Sequence, residues 1–250
     1  VHLDLGDTAS RLLYSAAKHT WEQRQGRFGE IIIPHDDFSG VRCIAVGALP
    51  QDTVMGFGFD GIGTKVEVAE RLGKWHSLAF DLFAMVCDDA VVQGAEPVLL
   101  GSVLDVRTLG TMTMSHLDII DQLAEGYIAA AAAARVAVVN GELAECGPRI
   151  NGYGPFNCTW NAGVVWFARR TRLLNGIAVR PGDAIVGLEE TGGRSNGYSL
   201  LRHILQRQHG DAWHTVPLGR TTLGELALAP SRIYTAAVVD MLGGVYDEPQ

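Results

Sequence analysis

FDGIGTK, residues 59–65, brings a carboxylate, two glycines, a hydroxyl and an ammonium group within reach of a single turn. The segment TVMGFGFD before it predicts a strand over residues 53–60, which delivers Asp60 to a strand end. Gly61 and Gly63 let the backbone bend and approach a ligand closely. A packed core has no use for this combination, so the stretch predicts a ligand-binding turn at the end of a strand.

The polar groups of this turn favour phosphate as the ligand. Thr64 supplies a hydroxyl, Lys65 supplies a point charge suited to phosphate, and Asp60 can hold a magnesium ion that bridges phosphate oxygens. The glycine spacing matches neither a Walker A loop nor the dinucleotide fingerprint. A polar turn with a solvated lysine is the alternative that the residues leave open.

A pair of adjacent carboxylates, Asp88 and Asp89, lies in the stretch CDDAVVQGAEP, residues 87–97. The surrounding sequence is apolar, and burying an ionised carboxylate without a partner is costly, so a cation or a strong donor is implied. Counted with Asp60, these oxygen ligands suit Mg²⁺ and not zinc. The alternative is that one member of the pair faces water.

A second acidic stretch, NGELAECG at residues 140–147, follows a predicted strand. Glu142 and Glu145 are three residues apart, so on a helical turn they share a face. They can serve as metal ligands or as a general base, and which of them is the base stays open. Ordinary exposed glutamates on a loop are the alternative.

The glycine-rich stretch TGGRSNGYSL, residues 191–200, precedes a predicted helix. Its glycines, Ser195 and Asn196 leave N–H donors free near the start of that helix, where anions bind well. An N-capped turn without a ligand is the alternative.

Composition bounds the functional classes. The chain has 250 residues, a formal net charge of -8 and 47% hydrophobic residues, enough for one large core or two smaller ones. The acidic balance and the lack of a basic run argue against a nucleic-acid partner, and the longest apolar run, residues 128–134, is too short to span a bilayer. Four cysteines without CxxC spacing suggest reduced thiols, so we expect a cytoplasmic protein without a signal peptide.

Hydrophobic periodicity and turn residues predict alternating strands and helices. The predicted strands are residues 31–34, 43–49, 53–60, 97–106, 136–140, 156–170 and 183–190. The predicted helices are one from Thr8 onward, residues 75–92, residues 115–134, residues 200–208 and one more within residues 229–250. Turn residues near 174–182 predict two domains, residues 1–170 and 171–250. The second is small for an independent core, so we expect it to be truncated or completed by a partner.

Taken in this order, FDGIGTK, VVQGAEP, NGELAECG and SNGYSL resemble the aminoimidazole ribonucleotide synthetase family, also called phosphoribosylformylglycinamidine cyclo-ligases. The resemblance extends from about residue 4 to about residue 239. The DGxGTK turn is shared by a wider superfamily that includes formylglycinamidine synthetase, selenophosphate synthetase, thiamine-phosphate kinase and a hydrogenase maturation factor. The VVQGAEP and SNGYSL segments narrow the resemblance to the cyclo-ligases.

The resemblance implies a two-domain α/β fold of the α+β type. It implies a homodimer formed through the N-terminal domain, whose strands build a β-barrel across the two-fold axis, and an incomplete C-terminal α/β domain. ATP and Mg²⁺ would bind near that interface. The implied enzyme of purine biosynthesis phosphorylates an amide oxygen of formylglycinamidine ribonucleotide, after which an internal amine displaces phosphate and closes the imidazole ring.

Residue roles are also carried over from the family. The implied catalytic residues are Asp60, Lys65, Asp89 and Glu142, and the implied magnesium ligands are Asp60, Asp89 and Glu142. The implied nucleotide-binding residues are Asp60, Gly61, Gly63, Thr64, Lys65, Asp88 and Asp89. The implied substrate-binding residues are Glu145, Ser195, Asn196 and Gly197.

The chain departs from the family pattern at several positions. Asp88, Asn140, Leu143 and Cys146 stand where the family has Asn, Gly, Thr and Met, and the loop with Gly26 and Gly29 has fewer glycines than the family's ATP-covering loop. Two alternative functions follow: a superfamily paralogue that phosphorylates a different small substrate, and a non-catalytic nucleotide-binding dimer.

Overall fold

The computed structural model describes residues 3–35, 38, 40–111 and 113–246. Its strands, in chain order, are β1 (Ile31–Ile32), β2 (Cys43–Ile44), β3 (Thr53–Gly61), β4 (Glu96–Val106), β5 (Ala137–Glu145), β6 (Cys158–Arg169), β7 (Pro217–Leu218) and β8 (Thr221–Thr222). Its α-helices are α1 (Leu3–Thr20), α2 (Val66–Leu72), α3 (Leu78–Val91), α4 (Leu117–Ala134), α5 (Tyr198–His209), α6 (Leu223–Ala227) and α7 (Thr235–Leu242).

A mixed four-stranded sheet with the order β3-β6-β4-β5 forms the centre of the molecule. The strand pairs β3–β6 and β6–β4 are antiparallel, whereas β4 and β5 are parallel. Parallel neighbours need a long crossover, and α4 provides it between β4 and β5. The fold is therefore a mixed α/β fold, as expected, and the sheet in the described chain is open at β3 and β5.

The two faces of the sheet differ. Side chains alternate between the faces of a strand, and on β6 the residues Trp160, Ala162 and Val164 belong to the main hydrophobic core with α3 and α4. The opposite face, here called the open face, exposes the large apolar side chains Met55, Phe57, Phe59 and Val103. Phe59 is 76% exposed although its ring contacts that of Phe57, with ring centroids 4.4 Å apart.

Most of the predicted elements are confirmed. The strands predicted at residues 53–60, 97–106 and 156–170 and the helices predicted at residues 75–92, 115–134 and 200–208 correspond to β3, β4, β6, α3, α4 and α5. The first helix begins at Leu3 and not at Thr8. The short helix α6 is missed, although Thr222 and Glu225 form a capping box at its start.

The strand predicted at residues 183–190 is wrong. No described strand pairs with this segment, and Ile185 is 99% exposed. Its apolar, β-branched composition suits a strand, but a strand also needs a neighbour to receive its hydrogen bonds, and composition does not provide one.

Residues beyond the predicted boundary near residue 170 pack onto the same core as the sheet. Tyr198, Trp213, Ala227 and Leu228 belong to the main core cluster. The division into domains at residues 1–170 and 171–250 stays a prediction. Among the described residues, no helix has the length and apolar character that a membrane span requires, and the four cysteines are free thiols.

A buried ion pair joins these later residues to the sheet. Lys65 Nζ donates to Asp81 Oδ1 at 2.7 Å, to the Gly193 carbonyl at 2.9 Å and to the Ala229 carbonyl at 2.7 Å. Three acceptors use all three N–H groups of an ammonium, so the geometry is that of the charged form. Asp81 Oδ1 also accepts from Ser231 Oγ at 2.6 Å. Burial lowers the pKa of Lys65 and raises the pKa of Asp81, and each charge opposes the effect on the other.

Replacing Lys65 with methionine should destabilise the protein strongly, because it leaves the Asp81 carboxylate buried without its cation. The expected loss in the free energy of unfolding is about 3–5 kcal/mol, measured by urea denaturation. Lys74→Met is the matched control, since Lys74 forms an exposed pair with Glu225, and should cost less than about 1 kcal/mol. Equal losses for the two variants would contradict the role of the buried pair.

Candidate functional site

The site begins at the end of β3. Asp60 pairs with the buried Ala162 of β6, so its side chain points to the helix-covered face. Its Oδ1 accepts a hydrogen bond from the Gly61 amide at 2.6 Å. The predicted placement of Asp60 at a strand end is therefore confirmed.

Asp89 lies on α3, which packs against β3, and is near enough to Asp60 for their charges to interact. Partial burial and the negative charges of Asp60 and Asp88 raise the pKa of Asp89, and the positive charge of Arg194 opposes them. Asp89 is exposed at the surface of α3. Two carboxylates that repel each other in a partly desolvated position are an arrangement that a cation stabilises.

The side chain of Asp88 points into the protein, away from Asp60 and Asp89. Its carboxylate accepts from an Arg194 guanidinium nitrogen at 2.7 Å, from Thr235 Oγ1 at 2.8 Å and from the Tyr234 amide at 3.1 Å. Protein donors thus satisfy this carboxylate, which is buried, while its neighbour Asp89 faces water. The nucleotide contact that the family resemblance implies for Asp88 does not fit this placement, since adjacent helix residues point about 100° apart.

The turn after β3 is shaped by its glycines. Gly63 has a φ of +64°, which favours glycine, and a Cβ on Gly61 would lie 2.1 Å from Asn161 Oδ1. Thr64 Oγ1 lies 3.0 Å from Ser199 Oγ, which joins the turn to the start of α5. The backbone path therefore favours glycine at position 63, and the close approach of the Asn161 side chain favours glycine at position 61.

Lys65 is not at the surface of this turn. Its side chain is 0% exposed and all of its donors are used within the protein, so the expected contact with phosphate is not available to it in this structure. The alternative of a solvated lysine is equally wrong. Its burial beneath the turn makes Lys65 an internal support of the site.

The glycine-rich loop closes the site from the other side. Arg194 links it to α3 by donating to Asp88 and to the Ala84 carbonyl at 3.0 Å. Ser195 is buried, and its hydroxyl has no hydrogen-bond partner in the described chain. Asn196 is exposed and Gly197, with a φ of +84°, directly precedes α5. A buried, unpaired hydroxyl before a helix N-terminus agrees with the anion-binding prediction for this loop.

Glu142 and Glu145 lie away from this cluster. They are in β5, at the edge of the sheet opposite to β3, so three strand spacings, about 14 Å, separate Glu142 from Asp60. Glu142 pairs with Val103 of the open face, whereas Asp60 points to the helix-covered face. The structure therefore brings Asp60 and Asp89 to one edge of the sheet and Glu142 to the other, and the magnesium-ligand role of Glu142 stays a prediction.

Glu145 has a structural partner. Its Oε1 accepts from the Leu109 amide at 2.7 Å and from Thr108 Oγ1 at 3.3 Å, which fixes the segment after β4. Because β5 is a strand and not a helical turn, Glu142 and Glu145 do not share a face. In the part of the chain that the structure describes, no group of three or more His, Cys, Asp or Glu side chains is arranged to hold a metal.

The loop with Gly26 and Gly29 packs near the start of β4. A Cβ on Gly29 would lie 2.2 Å from Val98, and the neighbouring Arg24 forms a buried ion pair with Glu96 at 2.8 Å. Asp60 lies level with Ser102, further along the sheet. The expectation that this loop covers ATP stays a prediction.

Asp81 and Arg194 are important to the site but are not assigned a role from the sequence. Asp81 pairs with Lys65 and Arg194 pairs with Asp88, and neither pair is visible as a sequence motif. Arg194 also lies in a loop where the glycines are the most prominent sequence feature. The one available signal is that an aspartate in an apolar helix needs a partner.

Comparison with known proteins gives a consistent result. Residues 42–167 match the family model described as AIR synthase related protein, N-terminal domain. The chain is 37% identical to the phosphoribosylformylglycinamidine cyclo-ligase of Nitrosococcus oceani over 193 residues, which is 77% of this chain and 51% of that protein. It is 32% identical to the cyclo-ligase of Anaeromyxobacter sp. over 98% of this chain and 67% of that protein.

The chain thus spans about half to two thirds of the length of these curated relatives. The solved thiamine-monophosphate kinase of Stenotrophomonas maltophilia K279a has a similar fold, with a TM-score of 0.53 and 16% identity over 93% of this chain and 64% of that one. Fold, motifs and relatives agree, and the chain therefore belongs to the AIR synthase related family.

Proposed function

We propose that the chain is the nucleotide- and metal-binding part of an ATP-dependent cyclo-ligase. The reaction converts formylglycinamidine ribonucleotide to aminoimidazole ribonucleotide and releases ADP and phosphate. The names of the curated relatives support this activity. The observation that carries it in this chain is the packing of α3 against β3, which places Asp89 within charge interaction of Asp60 beside the turn of residues 61–64.

Magnesium fits the residues of the site. Mg²⁺ in nucleotide sites is bound by one or two carboxylates, with phosphates and water as the other ligands. Asp60 and Asp89 supply two carboxylates whose mutual repulsion a divalent cation would relieve. A bound ion of this kind would neutralise phosphate charge during transfer. A third carboxylate from the same chain is not needed.

The remaining groups of the site position the reactants. The exposed backbone of Gly63 and Thr64 would lie along the phosphates of the nucleotide. Ser195, Asn196 and Gly197 would receive the phosphorylated substrate at the start of α5. Phosphoryl transfer depends more on alignment and charge neutralisation than on a covalent nucleophile, and none is assigned.

The open face supports a homodimer. Its exposed Met55, Phe57 and Phe59 form a contiguous apolar strip along β3, and Gly163 of β6 leaves room for both phenylalanine rings. Exposed apolar surface of this kind marks protein–protein contact. We propose that two copies join through this face, with the intersubunit barrel as the expected form.

Asp60→Asn should weaken the binding of Mg·ATP by at least about tenfold, because removing one of two carboxylate ligands to a metal typically costs this much or more. Isothermal calorimetry with the full chain measures it. Asp118→Asn is the matched control, because it removes one negative charge from the exposed first turn of α4. It should leave the affinity for Mg·ATP unchanged. An unaltered affinity for Asp60→Asn would remove Asp60 from the site.

The activity itself is tested by ADP release in the presence of formylglycinamidine ribonucleotide. We expect release that depends on this substrate and on Mg²⁺. Binding of Mg·ATP without release would favour the non-catalytic dimer, and release with another small substrate would favour a paralogue. Either result contradicts the proposed reaction.

Phe59→Asp should convert a dimer to a monomer, because it places a carboxylate in the middle of an apolar interface. Analytical ultracentrifugation gives the mass of each variant. Met241→Asp on α7 changes a similarly exposed apolar residue outside the open face and should leave the dimer intact. A wild-type chain that sediments as a monomer would contradict the proposal.

A further inference from the structure

The guanidinium group of Arg194 joins three segments of the chain. It donates to Glu190 Oε2 at 3.1 Å within its own loop and to the Arg232 carbonyl at 3.0 Å ahead of α7. It also donates to the Ala84 carbonyl at 3.0 Å and to Asp88 Oδ2 at 2.7 Å, both on α3. A planar guanidinium holds several acceptors in a fixed geometry and binds carboxylates strongly. One side chain therefore sets the position of the glycine-rich loop against α3 and against the segment that leads into α7.

Asp88 uses both carboxylate oxygens in this junction. Its Oδ2 accepts from Arg194, while its Oδ1 accepts from Thr235 Oγ1 at 2.8 Å and from the Tyr234 amide at 3.1 Å. An asparagine offers one acceptor oxygen and places an NH₂ group on the other side. It would therefore leave either Arg194 or the start of α7 without its partner. Asp88, which stands where the family pattern has Asn, is thus matched to Arg194.

The loop is held on both sides of residues 195–197, which we propose to receive the substrate. Arg194 anchors one side. The buried Tyr198 anchors the other, where its hydroxyl donates to the Ala227 carbonyl at 2.6 Å. Between these anchors, the buried Ser195 hydroxyl has no hydrogen-bond partner among the described residues. The protein thus fixes the two ends of a short span and leaves a polar group within it available.

The same junction fixes the loop relative to the proposed metal site. Asp88 and Asp89 are consecutive residues of α3, and Arg194 is near enough to Asp89 for their charges to interact. Because a helix is stiff over one residue, an anchor on Asp88 also fixes the distance from the loop to Asp89. Phosphoryl transfer depends on such distances, since a displacement of about 1 Å can cost about 100-fold in rate.

We propose that Arg194 and Asp88 are positioning residues that order the substrate-binding loop against α3 before the substrate arrives. The inference rests on the proposed function and assigns it two residues that touch neither the substrate nor the metal. Without the pair, the substrate would have to order the loop when it binds, and binding would be weaker by the cost of that ordering.

Trypsin tests the anchor without relying on activity, because the enzyme cleaves after arginine. In Asp88→Asn, cleavage of the full chain after Arg194 should be at least about fivefold faster than in the wild type, since removing one partner of a desolvated ion pair favours the open loop. Fragments are identified by mass. Asp118→Asn, on the exposed first turn of α4, is the matched control and should be cleaved after Arg194 like the wild type.

Cleavage after the buried Arg24 in the same digest reports unfolding of the whole chain and should not change in Asp88→Asn. Equal acceleration after Arg24 and after Arg194 would show a loss of overall stability and not a local anchor, which overturns the proposal. An unchanged rate of cleavage after Arg194 overturns it as well.

Steady-state kinetics test the positioning role. Asp88→Asn and Arg194→Gln should each raise the KM for formylglycinamidine ribonucleotide about five- to tenfold and leave kcat within about twofold, because the cost falls on binding. The double variant should show no higher KM than the more affected single variant, since both changes break one contact. Arg232→Gln is the matched control, because the exposed Arg232 side chain lies 3.5 Å from Glu189 and the variant keeps the Arg232 carbonyl.

Additive increases of KM in the double variant, or an unchanged KM in both single variants, overturn the positioning role. An equal increase in Arg232→Gln would also overturn it. A wild-type chain that releases no ADP with this substrate would contradict the proposed reaction, and the trypsin digest would still decide whether Asp88 anchors the loop.

Discussion

The buried ammonium group of Lys65 holds the site together. It is bonded to Asp81 of α3, to Gly193 of the glycine-rich loop and to Ala229 before α7. These three segments are far apart in the chain, and the turn that follows β3 is where they meet. An ammonium that is fully satisfied by three acceptors fixes distances between them more strictly than apolar packing does. The positions of Asp60, Asp89 and the loop at residues 191–197 depend on this contact.

The neighbouring aspartates of α3 divide two tasks between them. Asp88 turns inward, where Arg194, Thr235 and the Tyr234 amide neutralise and satisfy it. Asp89 turns outward, and partial burial together with the nearby charge of Asp60 raises its pKa. The protein thus compensates one carboxylate internally and leaves the other without enough positive charge around it. An external cation is the missing partner, and this is why the pair supports a metal role more strongly than either residue alone.

The sequence predicts the long helices and the central strands because their apolar periodicity is a local property. It also predicts that FDGIGTK, the acidic pair and the glycine-rich loop belong to one site, and the contacts of Lys65, Thr64 and Arg194 bring them together. It does not predict the burial of Lys65, because two of its partners are 128 and 164 residues away. The sequence does not predict the distance between Glu142 and Asp60 for a similar reason, since the order of strands in a sheet is not visible in any one strand. The segment at residues 183–190 shows the same limit, because its composition suits a strand but does not reveal a neighbour.

A double-mutant cycle between Asp60 and Asp89 tests the central claim, with Mn²⁺ affinity in the presence of ATP as the quantity measured by electron paramagnetic resonance. If both carboxylates hold one ion, the loss caused by Asp89→Asn should be much smaller in the Asp60→Asn background than in the wild type, since the site is already broken there. Independent, additive losses, or an Mn²⁺ affinity that neither variant changes, would show that the two side chains do not share an ion.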